Sequence, residues 1–116
     1  MPDDNHPVRA QLIFYMPGSN KHEYFLDFDL PARPVVGDLI SIRRPDQEGT
    51  EDFIVRRVRW ELHHTTNHQG EPPDQIGTVQ FLIVECEYAL SAHAMETHRR
   101  ICENHEKNGG CSVVRF

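Results

Sequence analysis

Hydrophobic and polar residues alternate along the first third of the chain in two stretches that have the character of β-strands. In "VRAQLIFYM" apolar side chains occupy alternate positions from Val8 to Met16, and "HEYFLDFDL" repeats the pattern from Tyr24 to Leu30. A period of two is typical of strands that bury one face. The segment "PGSNK" between them has the residues of a tight turn. The two stretches are therefore predicted to form a β-hairpin.

A third and a fourth strand are predicted further along the chain. The short stretch "LISIRR" follows the turn-forming corner "PVVGD", and "DFIVRRVRWEL" is rich in β-branched and aromatic residues, which favour strands. One face of this fourth strand carries Phe53, Val55, Arg57 and Arg59. The other face carries Trp60 and its apolar neighbours at alternate positions, and we expect this face to be buried.

The last half of the chain predicts a central strand followed by a helix. The stretch "TVQFLIVECEY" is apolar on both faces, which is typical of a strand in the middle of a sheet. From Ser91 the hydrophobic period lengthens to about 3.6 residues, which predicts a helix over 91–108. Ser91 is its predicted N-cap, and the glycines that follow Asn108 provide a left-handed C-cap. The final segment "CSVVRF" is long enough for one closing strand.

These elements predict a mainly β (α+β) fold. We expect a small, strongly bent antiparallel sheet or SH3-like barrel of five to six strands, with one C-terminal helix packed on it. A chain of 116 residues is the size of one domain, so a single domain over 1–116 is expected. Residues 1–7 are predicted to be a flexible N-terminus, and 63–75 form a long polar loop.

Composition and charge narrow the possible functions. The formal net charge of -6 disfavours a general nucleic-acid binder, since phosphate affinity comes mostly from accumulated Lys and Arg. The longest apolar run, "FLIV", is far below the roughly 20 residues of a membrane span, so no membrane segment is expected. The N-terminus has no secretory leader and the three cysteines form no C-x-x-C pair, so we expect a cytoplasmic protein with reduced thiols.

The motifs of several enzyme classes are missing from the sequence. It contains no G-x-S-x-G, S-x-x-K, G-x-x-x-x-G-K-[ST], G-x-G-x-x-G or H-E-x-x-H pattern. The alternating carboxylate pairs Asp27 with Asp29 and Glu85 with Glu87 are predicted to face solvent, where nothing raises a carboxyl pKa for acid and base work. We therefore expect a protein that is not an enzyme.

The predicted helix has a stripe of residues that should face the sheet. Its members are Ala94, Met95, His98, Ile101, Cys102 and His105. Imidazole nitrogen and thiolate sulfur are preferred zinc ligands, so His98, Cys102 and His105 are candidate metal ligands. A fourth ligand would come from Cys111 or from a loop histidine, His64 being the candidate beside His63 and His68. The alternative, which we favour, is that these side chains pack as an ordinary buried face.

A cluster of arginines on the third and fourth strands is a candidate binding surface. If Arg57 and Arg59 point outward beside Arg43, they form a basic stripe near Phe53 that suits phosphate or an acidic protein surface. Burial of Trp60 would remove the aromatic platform on which RNA-binding barrels stack bases. The arginine stripe therefore favours a protein partner over a nucleic acid.

Together these patterns predict a small non-enzymatic binding or regulatory domain that acts through a protein partner. The first alternative is a zinc-type metal domain that uses the helix His and Cys residues with a loop histidine. The second is a nucleic-acid-binding small barrel that uses the arginine stripe. Exposed edge strands, for which the first strand and "SVVRF" are the candidates, give a further route to binding by strand addition or to a homo-oligomer.

Overall fold

The computed structural model describes residues 8–65 and 76–116. The predicted flexible segment 1–7, most of the predicted loop over 63–75, and His68 lie outside the described residues. The strands are β1 (Val8–Tyr15), β2 (His22–Leu30), β3 (Leu39–Ile42), β4 (Glu51–His63), β5 (Thr78–Leu90) and β6 (Val114–Arg115). The helix α1 spans Glu96–Lys107, and it is too short and too polar to cross a membrane.

The strands form one strongly curled sheet, a half-barrel with α1 packed on it, so the predicted fold class is confirmed. Their order is β2-β1-β5-β4-β3, with β6 paired to the end of β5. As predicted, β5 is central. The prediction that the first strand is an edge is wrong, because β1 lies between β2 and β5 and runs parallel to β5. The SH3-like character of the barrel stays a prediction.

The core lies on the concave face of the half-barrel, where the predicted alternation of β1 is confirmed. Ala10, Leu12 and Phe14 are buried, while the residues between them are only partly covered. Strands β4 and β5 contribute a second row of buried side chains, of which Phe53, Val55, Leu82, Val84, Cys86 and Tyr88 are members. The sheet closes over these side chains on one side and α1 covers one end of them.

A β-bulge at Arg56 changes which face of β4 is buried. Phe53 and Val55 face the core opposite Tyr88 and Cys86, but the register shifts between Val55 and Arg57. Beyond the shift the even-numbered residues face the core side. The extra residue of a bulge inverts the parity of the strand that follows it. The prediction that one alternating set is buried along the whole strand is therefore wrong.

Trp60 is the clearest consequence of this bulge. Its side chain keeps 43% of its surface exposed, although it was predicted to be a core residue. It lies on the part of β4 that has no strand on its outer side, because β3 pairs only with the start of β4, and its partner Leu82 stands at the end of the pairing between β5 and β1. We call this stretch, residues 57–63 of β4 with residues 78–85 of β5, the β4–β5 arm.

The helix begins five residues later than predicted because the segment before it is bound to the start of β4. The Ser91 amide donates to the Asp52 carboxylate over 2.9 Å, and the Met95 amide donates to the Thr50 carbonyl over 2.9 Å. In a helix capped by Ser91 the Met95 amide would be the first to donate within the helix, and the Thr50 carbonyl accepts it instead. The predicted end is confirmed, since Gly109 has a positive φ and completes a double hydrogen-bonded C-cap with the next residue.

Candidate functional site

A groove of 580 Å³ lies on the open side of the half-barrel, between the edge strands β2 and β3. The continuous stretch 39–43 forms one wall, Phe28 and Leu30 of β2 form the other, and Leu12 contributes from β1. The connecting segment 31–34 borders one end of the groove. The volume is within the range of about 300–1,000 Å³ that is typical of ligand sites. Its lining is largely apolar, which makes it a candidate binding site within the part of the chain that the structure describes.

The corner "PVVGD" positions β3 at the edge of this groove. Gly37 adopts a φ of 98°, in the region that favours glycine, and its amide donates to the Val55 carbonyl over 2.8 Å. The Val55 amide donates to the Asp38 carbonyl over 2.9 Å, while the Asp38 carboxylate accepts the Val35 amide over 2.9 Å. These bonds hold the chain against β4, so the outer edge of β3 faces the groove.

Two arginines with free charges stand in the groove wall. Neither Arg33 nor Arg43 forms an ion pair or a side-chain hydrogen bond with any residue in 8–65 or 76–116. The next residue shows the contrast, since Arg44 donates to Glu51 over 3.2 Å and Glu51 also accepts from the Tyr24 hydroxyl over 2.7 Å. The groove therefore combines apolar walls with two arginine charges that form no ion pair in the described part of the chain, against the single carboxylate of Asp38 in the same lining.

The predicted arginine stripe is not assembled. Ile42 pairs with Glu51, so Arg43 lies beside the start of β4, whereas Arg57 is six residues further along that strand, or about 20 Å away. Arg59 is further still, and Arg57 contacts Glu85 over 3.7 Å. Phe53 has no exposed surface, so its predicted role in binding is wrong. Of this set, only Arg43 lines the groove.

Arg56 serves the fold instead of a binding surface. Its guanidinium donates to Glu85 and Glu87, each over 3.1 Å, and to the Ser19 carbonyl over 2.8 Å. It also lies 3.9 Å from the centre of the Tyr15 ring. Both glutamates are therefore held in ion pairs with Arg56, and the bulge is tied to the turn between β1 and β2.

The helix histidine and cysteine meet backbone atoms of the sheet. His98 Nε2 lies 2.8 Å from the Ala89 carbonyl oxygen and 3.0 Å from that of Asp52, and its ring stacks on Tyr88 at 5.0 Å. Cys102 Sγ lies 3.9 Å from the same Ala89 oxygen. Both side chains are buried, as the predicted helix stripe requires, although Ile101 of that stripe is 44% exposed.

The four candidate metal ligands do not converge. His105 packs its ring against Gly110, where any side chain would overlap it, and His64 follows the far end of β4. His98 contacts the start of that strand, so roughly 35 Å of extended chain separates it from His64. Within residues 8–65 and 76–116 no three His, Cys, Asp or Glu side chains are grouped for a metal ion. The exposed Cys111 lies against Gly18 instead.

The three thiols should differ sharply in reactivity. Burial raises the pKa of Cys86 and of Cys102 to about 12, whereas Cys111 is exposed. Because the thiolate is the reactive form, we expect Ellman's reagent at neutral pH to modify one thiol per native chain and three after denaturation. Replacing Cys111 with serine should remove the native signal. Rapid modification of a second native thiol would contradict the buried positions of Cys86 and Cys102.

Most of the groove could not be found from the sequence. Alternation correctly places Phe28 and Leu30 on the inner face of β2. Both stay only half-buried because they line the groove, and alternation cannot show that β3 forms its other wall. Arg33 lies in a segment that has no period at all. No protein-family model matches this chain, and no curated protein or solved structure matches it. The function is therefore argued from geometry.

Proposed function

We propose that the protein is a non-enzymatic binding domain that takes an extended, acidic segment of a partner protein in the groove between β2 and β3. The observation that carries this proposal is the pair Arg33 and Arg43, whose charges no described residue neutralises, in the wall of an apolar groove. Unpaired cations beside an apolar surface match a ligand that brings both acidic and apolar side chains.

The free edge of β3 favours an extended ligand. No strand of the described chain pairs with β3 on the side opposite β4, so its outward backbone groups can bond to an added strand. Strand addition takes its affinity from main-chain hydrogen bonds and its specificity from alternate side chains. The four residues of β3 span about 13 Å, which matches a segment of four or five residues.

The charge pattern determines which side chains the partner should present. Apolar side chains would lie against Leu39 and the half-buried Phe28 and Leu30, and carboxylates would reach the two arginines. The chain as a whole is acidic, so the groove is a local exception that selects against basic ligands. Charge pairs at an exposed rim are screened by salt, so binding should weaken as ionic strength rises.

Selection from a phage library of random eight-residue peptides tests this proposal. We expect enriched sequences to alternate apolar residues with Asp or Glu. A fluorescein-labelled peptide of that pattern should lose at least tenfold in affinity, measured by anisotropy, when the protein carries Arg43→Glu. The matched control is Arg100→Glu, an exposed helix position, which should bind as the wild type does.

Two outcomes would contradict the proposal. One is a selection that enriches peptides without acidic residues, or that enriches no peptide. The other is a labelled peptide that binds the Arg43→Glu and Arg33→Glu variants as tightly as it binds the wild type. Preferential binding of a single-stranded RNA oligonucleotide over every selected peptide would support the nucleic-acid alternative instead.

A further inference from the structure

The β4–β5 arm presents a strand edge with no neighbour among the described residues. The bonds between Val55 and the corner at Gly37 and Asp38 are the last on this side of β4. From Arg57 to His63 no strand lies beside it in residues 8–65 and 76–116. This stretch is regular, because the bulge at Arg56 precedes it and the second register shift adds its extra residue to β5. Such an edge is a template for another strand.

We propose that this edge pairs with the same edge of a second copy of the chain, antiparallel and centred on Trp60. In this register Arg57 lies opposite His63 of the second copy, Val58 opposite Leu62, and Arg59 opposite Glu61. Trp60 lies opposite itself. The interface is separate from the groove between β2 and β3, so its test is independent of the proposed function.

Charge selects this register over its neighbours. A two-fold axis perpendicular to the sheet places side chains of the same face opposite each other. The axis must therefore pass through a residue and cannot pass between two residues. Centring the pair on Arg59 puts Arg59 opposite Arg59, and centring it on Glu61 puts Glu61 opposite Glu61. Like charges directly opposite each other are destabilising, whereas opposite charges stabilise the pair. Only the Trp60 centre matches every Arg59 with a Glu61.

Length selects the same register. Centred on Trp60, the pairing runs from residue 57 to residue 63, which is the whole free edge. Any other centre leaves part of the edge unpaired, because beyond Val55 the corner at Gly37 and Asp38 occupies the position beside β4. The second copy's strand would lie on the same side of β4 as β3 does, further along β4. The pairing would end at His63, where β4 ends.

Both faces of the arm fit this interface. Arg59 and Glu61 lie on the outer face and make no ion pair with any residue that the structure describes. Trp60 and Leu62 lie on the core side with 43% and 69% of their surfaces exposed. Pairing would place Trp60 beside its counterpart and Leu62 beside Val58, which covers apolar surface that the single chain leaves in water.

Sedimentation velocity and light scattering from about 5 to about 200 µM protein test the proposal. The wild type should reach twice the chain mass as concentration rises. Arg59→Glu alone and Glu61→Arg alone should each raise the dissociation constant at least tenfold, because each creates like-charged pairs. An equimolar mixture of these two variants should form a heterodimer in which every pair is again opposite in sign. Arg100→Glu is the control and should dimerise as the wild type does.

Fluorescence gives a second readout, because Trp60 is the only tryptophan. Its emission should move to shorter wavelength as the wild type associates and should not move with Arg59→Glu. Circular dichroism checks that each variant is folded. A wild type that stays monomeric to the highest concentration would overturn the proposal. So would a dimer that survives both charge reversals, since it would use another surface, or single variants that fail to associate when mixed.

Discussion

Replacing Phe53 with alanine is expected to lower the free energy of unfolding by about 3–5 kcal/mol. The side chain has no exposed surface and is surrounded by rings, with Phe14 at 4.1 Å, Tyr88 at 5.2 Å and His98 at 5.4 Å between centres. Truncation loses the transfer free energy of the ring and leaves a cavity that three rigid neighbours cannot fill. Urea unfolding followed by circular dichroism measures the loss.

Trp60→Ala is the matched control for this prediction. It removes a larger ring from the same strand, but from a position that is 43% exposed beyond the core. We expect a loss below about 1.5 kcal/mol, because only part of the side chain leaves an apolar environment. Both changes should be made in the Arg59→Glu background, so that self-association does not add to the measured stability. A larger loss for Trp60 than for Phe53 would mean that the bulge at Arg56 is misplaced.

The sequence contains a trace of this bulge that alternation alone does not reveal. Apart from Ile54, the apolar residues of β4 fall at Phe53 and Val55 and then, before Leu62, at Val58 and Trp60, so a step of three interrupts steps of two. Under a strict period of two, each face of the strand contains both apolar and charged residues, and the pattern alone does not show which face is buried. An extra residue at the interruption puts all four on the core side, as the register shows.

Elements that depend on local pattern were predicted well, and those that depend on distant partners were not. The strands, the central position of β5 and the C-cap of α1 follow from period and turn residues. The start of α1 does not, because Thr50 and Asp52 bind the segment before it. A propensity acts within a few residues, and a tertiary hydrogen bond such as that from Ser91 to Asp52, which are 39 residues apart, can override it.

The groove could not be predicted from the sequence, because it too depends on contacts between distant segments. Its walls come from edge strands that approach each other only because the sheet curls, and no periodicity along the chain reports curvature. Arg43 was identified from its charge and its place beside a strand. Its assignment to one stripe with Arg57 and Arg59 assumed that β3 runs along the whole of β4, whereas it pairs only with the first four residues of that strand.

Asp52 should give the second large loss of stability. Its carboxylate has no exposed surface and accepts hydrogen bonds from the Thr50 hydroxyl at 2.6 Å, the Ser41 hydroxyl at 2.8 Å and the Ser91 amide at 2.9 Å. Asp52→Ala removes the acceptor of the buried Thr50 hydroxyl and of two part-buried donors, the Ser91 amide and the Ser41 hydroxyl, and we expect a loss of about 3–4 kcal/mol. Asp27→Ala, on the exposed face of β2, is the control and should change stability by less than about 0.5 kcal/mol.

The dependence on pH should show that the charged form of Asp52 is the stabilising one. Burial raises the pKa of this carboxyl, but the bonds from Thr50, Ser91 and Ser41 outweigh burial and hold the pKa below its ordinary value. A carboxyl whose pKa falls on folding stabilises the protein above its unfolded pKa of about 3.9, and this contribution is lost as the pH drops through the lower folded pKa. Asp52→Asn cannot titrate, so the wild type's advantage over it should be constant above about pH 5 and shrink below about pH 4. Unfolding both proteins in urea at a series of pH values measures this difference, and an advantage that stays constant to the lowest pH would contradict a charged Asp52.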